Sequence, residues 1–300
     1  MRIAAIDLGS NTFHLLIAQL KNGKITELFK TNNPVKLSEN ITHKNCIIPA
    51  AYARGLDCLK EFKSILSTYN VNQVKAVATS AVRSAENGEQ FILDAFAATG
   101  IAIEIISGDQ EAQLIYQGVK ASGVIQDRSL VMDIGGGSTE FIFCDQHQLY
   151  WRKSYDIGAA RLMQKFFHSD PLAKVELQAI HAHLDEILAE LIAYNQTFNA
   201  KNLIGSAGAF ETYLQMSSMH VDLENLNSAI IPLAQYRELS HKLINATHQQ
   251  RAIMPNLIPL RVDMIVMACV LTDYVLNNLN LGRMYMTTND LKYGLLNDLI

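Results

Sequence analysis

The stretch LVMDIGGGSTEFIFC, Leu130–Cys144, constrains the fold more than any other part of the chain. An apolar run drives into a carboxylate, Asp133. Three glycines follow, then Ser138, Thr139 and Glu140, then a second apolar run. Glycine weakens a strand interior, so three in succession mark a tight loop that something else approaches closely. The opening of the chain repeats the plan. In AAIDLGSNTFHLLIA, Ala4–Ala18, Asp7 stands for Asp133, Gly9 for Gly135 and Thr12 for Ser138. Each copy continues into a polar turn, KNGK at Lys21 or DQHQ at Asp145, and a further strand-like run. The unit is two strands joined by a tight loop, used once near the start of each half.

The chemistry of that loop suits a phosphate clamp. Glycines let the backbone come close and aim successive N–H groups at an anion, and hydroxyls add donors. Ser10 and Asn11 would donate from the first loop, and Gly135, Gly136, Gly137, Ser138 and Thr139 from the second. An aspartate at the strand end can hold a magnesium ion, directly or through water. Asp133 is the first candidate and Asp7 the second. Two such loops facing each other across a cleft would grip a phosphate chain from both sides.

Between and beyond the two copies, strands alternate with helices, which argues for α/β layers. KAVAT, Lys75–Thr79, reads as a buried strand, and SAVRSAEN turns into one helix running to about Thr99. IAIEII, Ile101–Ile106, is a strand. SGDQEAQLIYQGVK opens a helix with Ser107 as N-cap and Gln110 three residues on. In the second half, VELQAIHAHLDEILAELIAYNQTF has apolar residues at helical spacing, and RVDMIVMACVLTDYVLNNL is apolar on most faces and reads as a buried helix. LIGSAGAF is a strand running into a Gly-rich turn, and MYMTTNDLKYGLLNDLI is strand, turn and helix. The expected domains are 1–123 and 124–285, with the last helix, about 286–300, packing back on the first.

Composition removes several function classes. A chain of 300 residues, 49% hydrophobic, can bury a sizeable core in two domains. The formal net charge of -4 argues against a broad nucleic-acid surface, which needs clustered Lys and Arg. The longest apolar runs fall short of a membrane span, and no secretory signal precedes the first strand. The four cysteines are scattered and form no metal-like pair, so the expectation is buried, reduced thiols in a cytoplasmic protein.

DLGSNTFHLLI, ATSAVRSAEN, IEIISGDQEAQLIYQGV, DIGGGSTEF and IGAARL resemble, in order, the successive motifs of the Ppx/GppA family, the exopolyphosphatases and guanosine-pentaphosphate phosphatases. That family shares a superfamily with actin, sugar kinases and heat-shock chaperones. The resemblance implies an α/β fold of two actin-like (ribonuclease H-like) domains with a cleft between them, in a short, two-domain member. It implies a magnesium-dependent phosphohydrolase that removes terminal phosphate from inorganic polyphosphate or guanosine pentaphosphate, and a homodimer. Glu111, in GDQEAQ, takes the position of the family's catalytic glutamate, which orients and deprotonates the attacking water. Glu140 would hold a metal-bound water or help position the attacking one, with a solvated strand residue on the polar side of the hairpin as the ordinary alternative. Arg83, near a helix start, would fork across two phosphate oxygens, with a surface pair to Glu86 as the ordinary alternative. Arg161 matches a family position, and a salt bridge explains it equally well.

The pattern departs from the family in three places. Gln110 stands where Glu is frequent, Ala209 replaces a threonine in the GSAGAF turn, and Lys292 and Tyr293 stand where Arg-Glu is frequent. These leave the phosphate core intact and bear on what binds beyond it. An ATP-dependent phosphotransferase of the same superfamily and a non-catalytic polyphosphate or alarmone sensor are the competing readings. His181 and His183 are two apart on a helix and do not make a metal pair.

Overall fold

The computed structural model describes residues 1–39, 45–218, 221–223 and 226–300. The chain forms two compact units. One comprises Met1–Gly118, Gly135–Gly137 and Leu291–Ile300, the other Val119–Ile134 and Ser138–Asp290.

The first unit is built on β1 (Arg2–Leu8), β2 (Thr12–Lys21), β3 (Lys24–Pro34), β4 (Gln73–Ala78) and β5 (Ile103–Ile105), in the order β3-β2-β1-β4-β5. The β2–β3 turn works because Asn22 and Gly23 both take left-handed φ, 52° and 73°, the conformation a two-residue hairpin turn requires. Helices α1 (Pro49–Thr68), α2 (Ser80–Ser84), α3 (Gly88–Thr99) and α4 (Gly108–Ala121) complete the run. Ile6, Leu8, Phe13 and Leu15 bury their side chains in one core with Leu59 and Phe62 of α1 and Phe91 of α3.

The single helix expected from Ser80 to Thr99 is two. Asn87 accepts from the Ile47 amide (2.8 Å) and donates to its carbonyl (3.0 Å), which pins the chain at the break. Ala85 is extended there, at φ -83° and ψ 136°. The capping box at α4 forms as read: the Ser107 amide donates to Gln110 Oε1 (2.8 Å) and the Gln110 amide to Ser107 Oγ (3.2 Å).

The second unit carries β6 (Ser129–Ile134), β7 (Thr139–Cys144), β8 (Leu149–Tyr155), β9 (Asn202–Ser206), β10 (Ser228–Ile231) and β11 (Arg283–Thr287), ordered β10-β11-β9-β6-β7-β8. Without the antiparallel edge strand β10, this is the order of the first sheet, so the repeat read from the sequence extends to the topology. Helices α5 (Ala159–Phe166), α6 (Lys174–Ile187), α7 (Ala189–Phe198), α8 (Gly208–Ser217), α9 (Leu233–Asn245), α10 (His248–Ala252) and α11 (Met264–Leu279) cover it. The long helix expected over 175–198 has an irregular turn at Leu188, which separates α6 from α7. Twelve of the residues of α11 are buried, which explains why it is apolar on most faces. The last helix, α12 (Leu291–Asn297), belongs to the first unit and packs on β1.

Candidate active site

Strand pairing sets the site of the second unit. β6 and β7 are antiparallel, and Asp133 lies directly opposite Glu140. Side chains directly opposite share one face with Cβ atoms about 5 Å apart, where like charges are unfavourable. Glu140 is 1% exposed and Asp133 is partly exposed, so the Glu140 carboxylate is shielded from bulk water. Each carboxylate is held from its outer side by a serine. Ser206 Oγ donates to Asp133 Oδ2 at 2.8 Å, and Ser154 Oγ on β8 donates to Glu140 Oε1 at 2.6 Å.

The same register occurs in the first sheet, where Asp7 faces His14 and His14 faces Asn32. His14 Nδ1 and Asn32 Oδ1 lie 2.7 Å apart. His14 therefore occupies the position that Glu140 fills in the second copy.

The Gly135–Gly137 loop counts with the first unit, and Gly136 and Gly137 lie close to its side chains. A Cβ on Gly136 would lie 3.2 Å from Ser10 Cβ and 3.3 Å from Asn11 Cβ. One on Gly137 would lie 2.5 Å from Ser80 Oγ and 2.7 Å from Ser10 Oγ. The loop so meets both residues expected from the first loop, together with Ser80, which the sequence reading did not single out. The Ser80 hydroxyl is buried and finds no hydrogen-bond partner among the described residues.

Arg83 and Glu111 also meet in this unit. Arg83 Nη1 donates to Glu111 Oε2 at 3.1 Å and to the Ile106 carbonyl at 2.9 Å. Arg83 thus bridges to Glu111 on α4 in place of the Glu86 pair considered for it. Glu111 is 8% exposed.

Some expected side chains face elsewhere. Thr139 is fully buried, and its Oγ1 donates to the Ile157 carbonyl (3.2 Å), so its one proton ties down the strand. Arg161 pairs with Asp156 at 3.6 Å. His181 lies against Tyr274 and His183 against Phe166, on different sides of α6. Lys292 is 3% exposed, in contrast to an ordinary surface lysine. All four cysteines are free thiols, and burial pushes those of Cys58 and Cys144 up to about 12.

The fit to a divalent cation rests on donor chemistry. No cluster of three or more His, Cys, Asp or Glu that could hold a metal exists among the described residues. Magnesium does not need such a cage. It takes one or two carboxylates and fills its octahedron with water and substrate phosphate oxygens. Asp133 beside Glu140 supplies that number and type of ligand.

The sequence profile of the Ppx/GppA phosphatase family matches residues 16–300. The chain belongs to this family. A putative exopolyphosphatase of Haemophilus influenzae is 29% identical over 300 residues, covering 98% of this chain and 90% of that one. Exopolyphosphatase 2 of Mycobacterium tuberculosis is 31% identical over 277 residues, covering 88% and 86%. Among solved structures, an exopolyphosphatase from Cytophaga hutchinsonii superposes with a TM-score of 0.96 at 34% identity, covering 100% of this chain and 97% of that one. The Ppx/GppA family member of Aquifex aeolicus shares the fold at a TM-score of 0.83 and 24% identity, covering 100% and 97%. The two sheets with their covering helices are the family's pair of actin-like domains.

Proposed function

We propose that this protein is a magnesium-dependent exopolyphosphatase that releases the terminal phosphate of inorganic polyphosphate through water activated by Glu111. The observation that carries the reading is the nearly buried Glu111 carboxylate paired with Arg83 in the unit that also holds the Ser10, Asn11 and Gly135–Gly137 loops. The names of the relatives at 31% and 34% identity support the substrate class.

The roles follow from the donors. Backbone amides of Gly136 and Gly137, with the Ser10 hydroxyl, bind non-bridging oxygens of the terminal phosphate. An arriving phosphate competes with Glu111 for the Arg83 guanidinium, which forks across two of its oxygens. Glu111 then accepts a proton from the water as the water oxygen attacks the terminal phosphorus. The bridging P–O bond breaks in line, and the shortened chain leaves with the electron pair. Asp133, with Asp7 as the second candidate, would hold the magnesium, which neutralises charge on the phosphate oxygens. Glu140 orients water on the same sheet face. Guanosine pentaphosphate is the second substrate of this reading, because its terminal phosphoanhydride offers the same bond. The reading includes a cytoplasmic setting, with which free thiols accord, and a homodimer, by the family resemblance. No helix among the described residues is long and apolar enough to cross a membrane.

The test is phosphate release from polyphosphates of several lengths and from guanosine pentaphosphate, with magnesium and with excess EDTA. Release with magnesium and none with EDTA supports the reading. Binding of both substrates without release would move the protein to the sensor reading.

A further inference from the structure

We infer that Ser154, on β8, is a positioning residue for the reaction: its hydroxyl fixes the orientation of the Glu140 carboxylate. The inference rests on the hydrolase reading above and extends it to a residue with no motif around it.

Glu140 sits on a strand whose six residues are all buried. A carboxylate there has no bulk water to hold it, and its direction depends on the donors it meets. Ser154 is its cross-strand neighbour on the side away from Asp133. The 2.6 Å bond engages Oε1 from the outer edge of the sheet. The bond therefore comes from the strand opposite to the one that carries Asp133. The distance lies within the range of a hydroxyl–carboxylate hydrogen bond.

The first sheet gives independent support. There the third strand also supplies a polar side chain, Asn32, to the second-strand residue His14, at the same register position. The two third-strand side chains differ in chemistry as their partners do: an amide for an imidazole, a hydroxyl donor for a carboxylate. β8 needs no polar residue at that position to form a sheet, since its ladder is made by backbone groups.

The experiment compares wild type, Ser154→Ala and Ser154→Thr in magnesium-supported phosphate release from polyphosphate, in thermal unfolding, and in crystal structures of wild type and Ser154→Ala. The alanine variant should lower kcat about tenfold or more, the scale on which small misplacements act. KM should stay within about twofold, and the melting temperature should fall by about 3–10 °C, as expected for one lost hydrogen bond to a buried charged group. The threonine variant keeps the hydroxyl and should recover most of kcat. In the alanine crystal structure the Glu140 carboxylate should be rotated or spread over two positions. A Glu140 standing as in wild type with kcat unchanged would overturn the inference. So would threonine failing to restore kcat, or kcat falling only in step with lost stability. Wild type releasing no phosphate would sink the hydrolase reading, and the crystallographic comparison would still decide whether Ser154 sets Glu140.

Discussion

Replacing Glu111 by Gln separates catalysis from architecture, because the pair it belongs to has a structural job as well. Glu111 Oε2 accepts from Arg83 at 3.1 Å, and the same Nη1 also donates to the Ile106 carbonyl at 2.9 Å. Glutamine has the same shape and keeps an oxygen acceptor, so the Arg83 bond can persist. What is lost is charge assistance, the difference between a charged and a neutral hydrogen bond, about 1 kcal/mol. The side chains of the pair are 26% and 10% exposed, so solvent screening reduces that figure further. For a unit of this size about 1 kcal/mol is roughly 2–4 °C in melting temperature.

The effect on rate is of another order. An amide cannot take the water's proton, and loss of a general base costs about 10²–10⁴-fold. That is about 3–5 kcal/mol of barrier, several times the stability change. The assay is single-turnover phosphate release from polyphosphate at saturating magnesium, beside calorimetric unfolding and polyphosphate binding of the same preparations. Glu111→Gln should bind polyphosphate and unfold close to wild type while releasing phosphate at least about 100-fold more slowly. Turnover within about threefold of wild type would refute the assignment of the base. Arg83→Ala is the contrasting variant. It removes the charged donor from a nearly buried carboxylate, so it should cost more stability than Glu111→Gln, about 1–3 kcal/mol, as well as weakening phosphate binding.

Gly137→Ala places a methyl where the Ser80 and Ser10 hydroxyls now stand, at 2.5 and 2.7 Å; phosphate release should fall at least about tenfold, with little change in melting temperature, since both neighbours are side-chain ends that can turn aside. Gly205→Ala meets a fixed obstacle, Phe210 Cγ at 1.9 Å with the ring fully buried; it should destabilise by about 1–3 kcal/mol or more in chemical denaturation. Asp273 is raised above the ordinary carboxylate range by burial, against the Ser240 hydroxyl that donates to it at 2.6 Å. The folded state therefore keeps its proton where the unfolded chain has lost it, and stability falls as pH rises through that window. Asp273→Asn should abolish the fall, so its melting temperature relative to wild type should be higher at pH 8 than at pH 4; an unchanged difference would remove the argument.

The two glycine loops and the strands around them were legible because period-two apolar runs and glycine clusters are local signals. The Ser107–Gln110 capping box was legible for the same reason. Arg83 and Glu111 could be named from motifs, but their pairing could not, since it joins the end of α2 to the start of α4. Ser154 and Ser206 were invisible. Nothing in LYWRKSY or NLIGS marks a serine as a partner of a carboxylate until the strand register is known. The split of the expected Ser80–Thr99 helix was missed for a related reason. It depends on Asn87 bonding to Ile47, a contact across 40 residues that no helical periodicity encodes. The direction of the Thr139 side chain is likewise not local information: its place beside Ser138 suggests a loop donor, while its hydroxyl donates to the Ile157 carbonyl.

The two copies of the repeat have diverged in what they present at equivalent positions. The first sheet sets Asp7 against His14 and Asn32, the second Asp133 against Glu140 and Ser154. Only the second copy puts two carboxylates side by side, an arrangement that is unfavourable by itself and becomes favourable with a cation. The first copy replaces one carboxylate with an imidazole, and its unit holds the Arg83–Glu111 pair instead. Gene duplication alone would give two like sites. On the proposed reading, the divergence would give one unit the carboxylates suited to a divalent cation and the other the groups suited to taking a proton and gripping phosphate. Hydrolysis of a phosphoanhydride needs both kinds of group at once, and a chain that had kept its two halves alike would have supplied one kind twice.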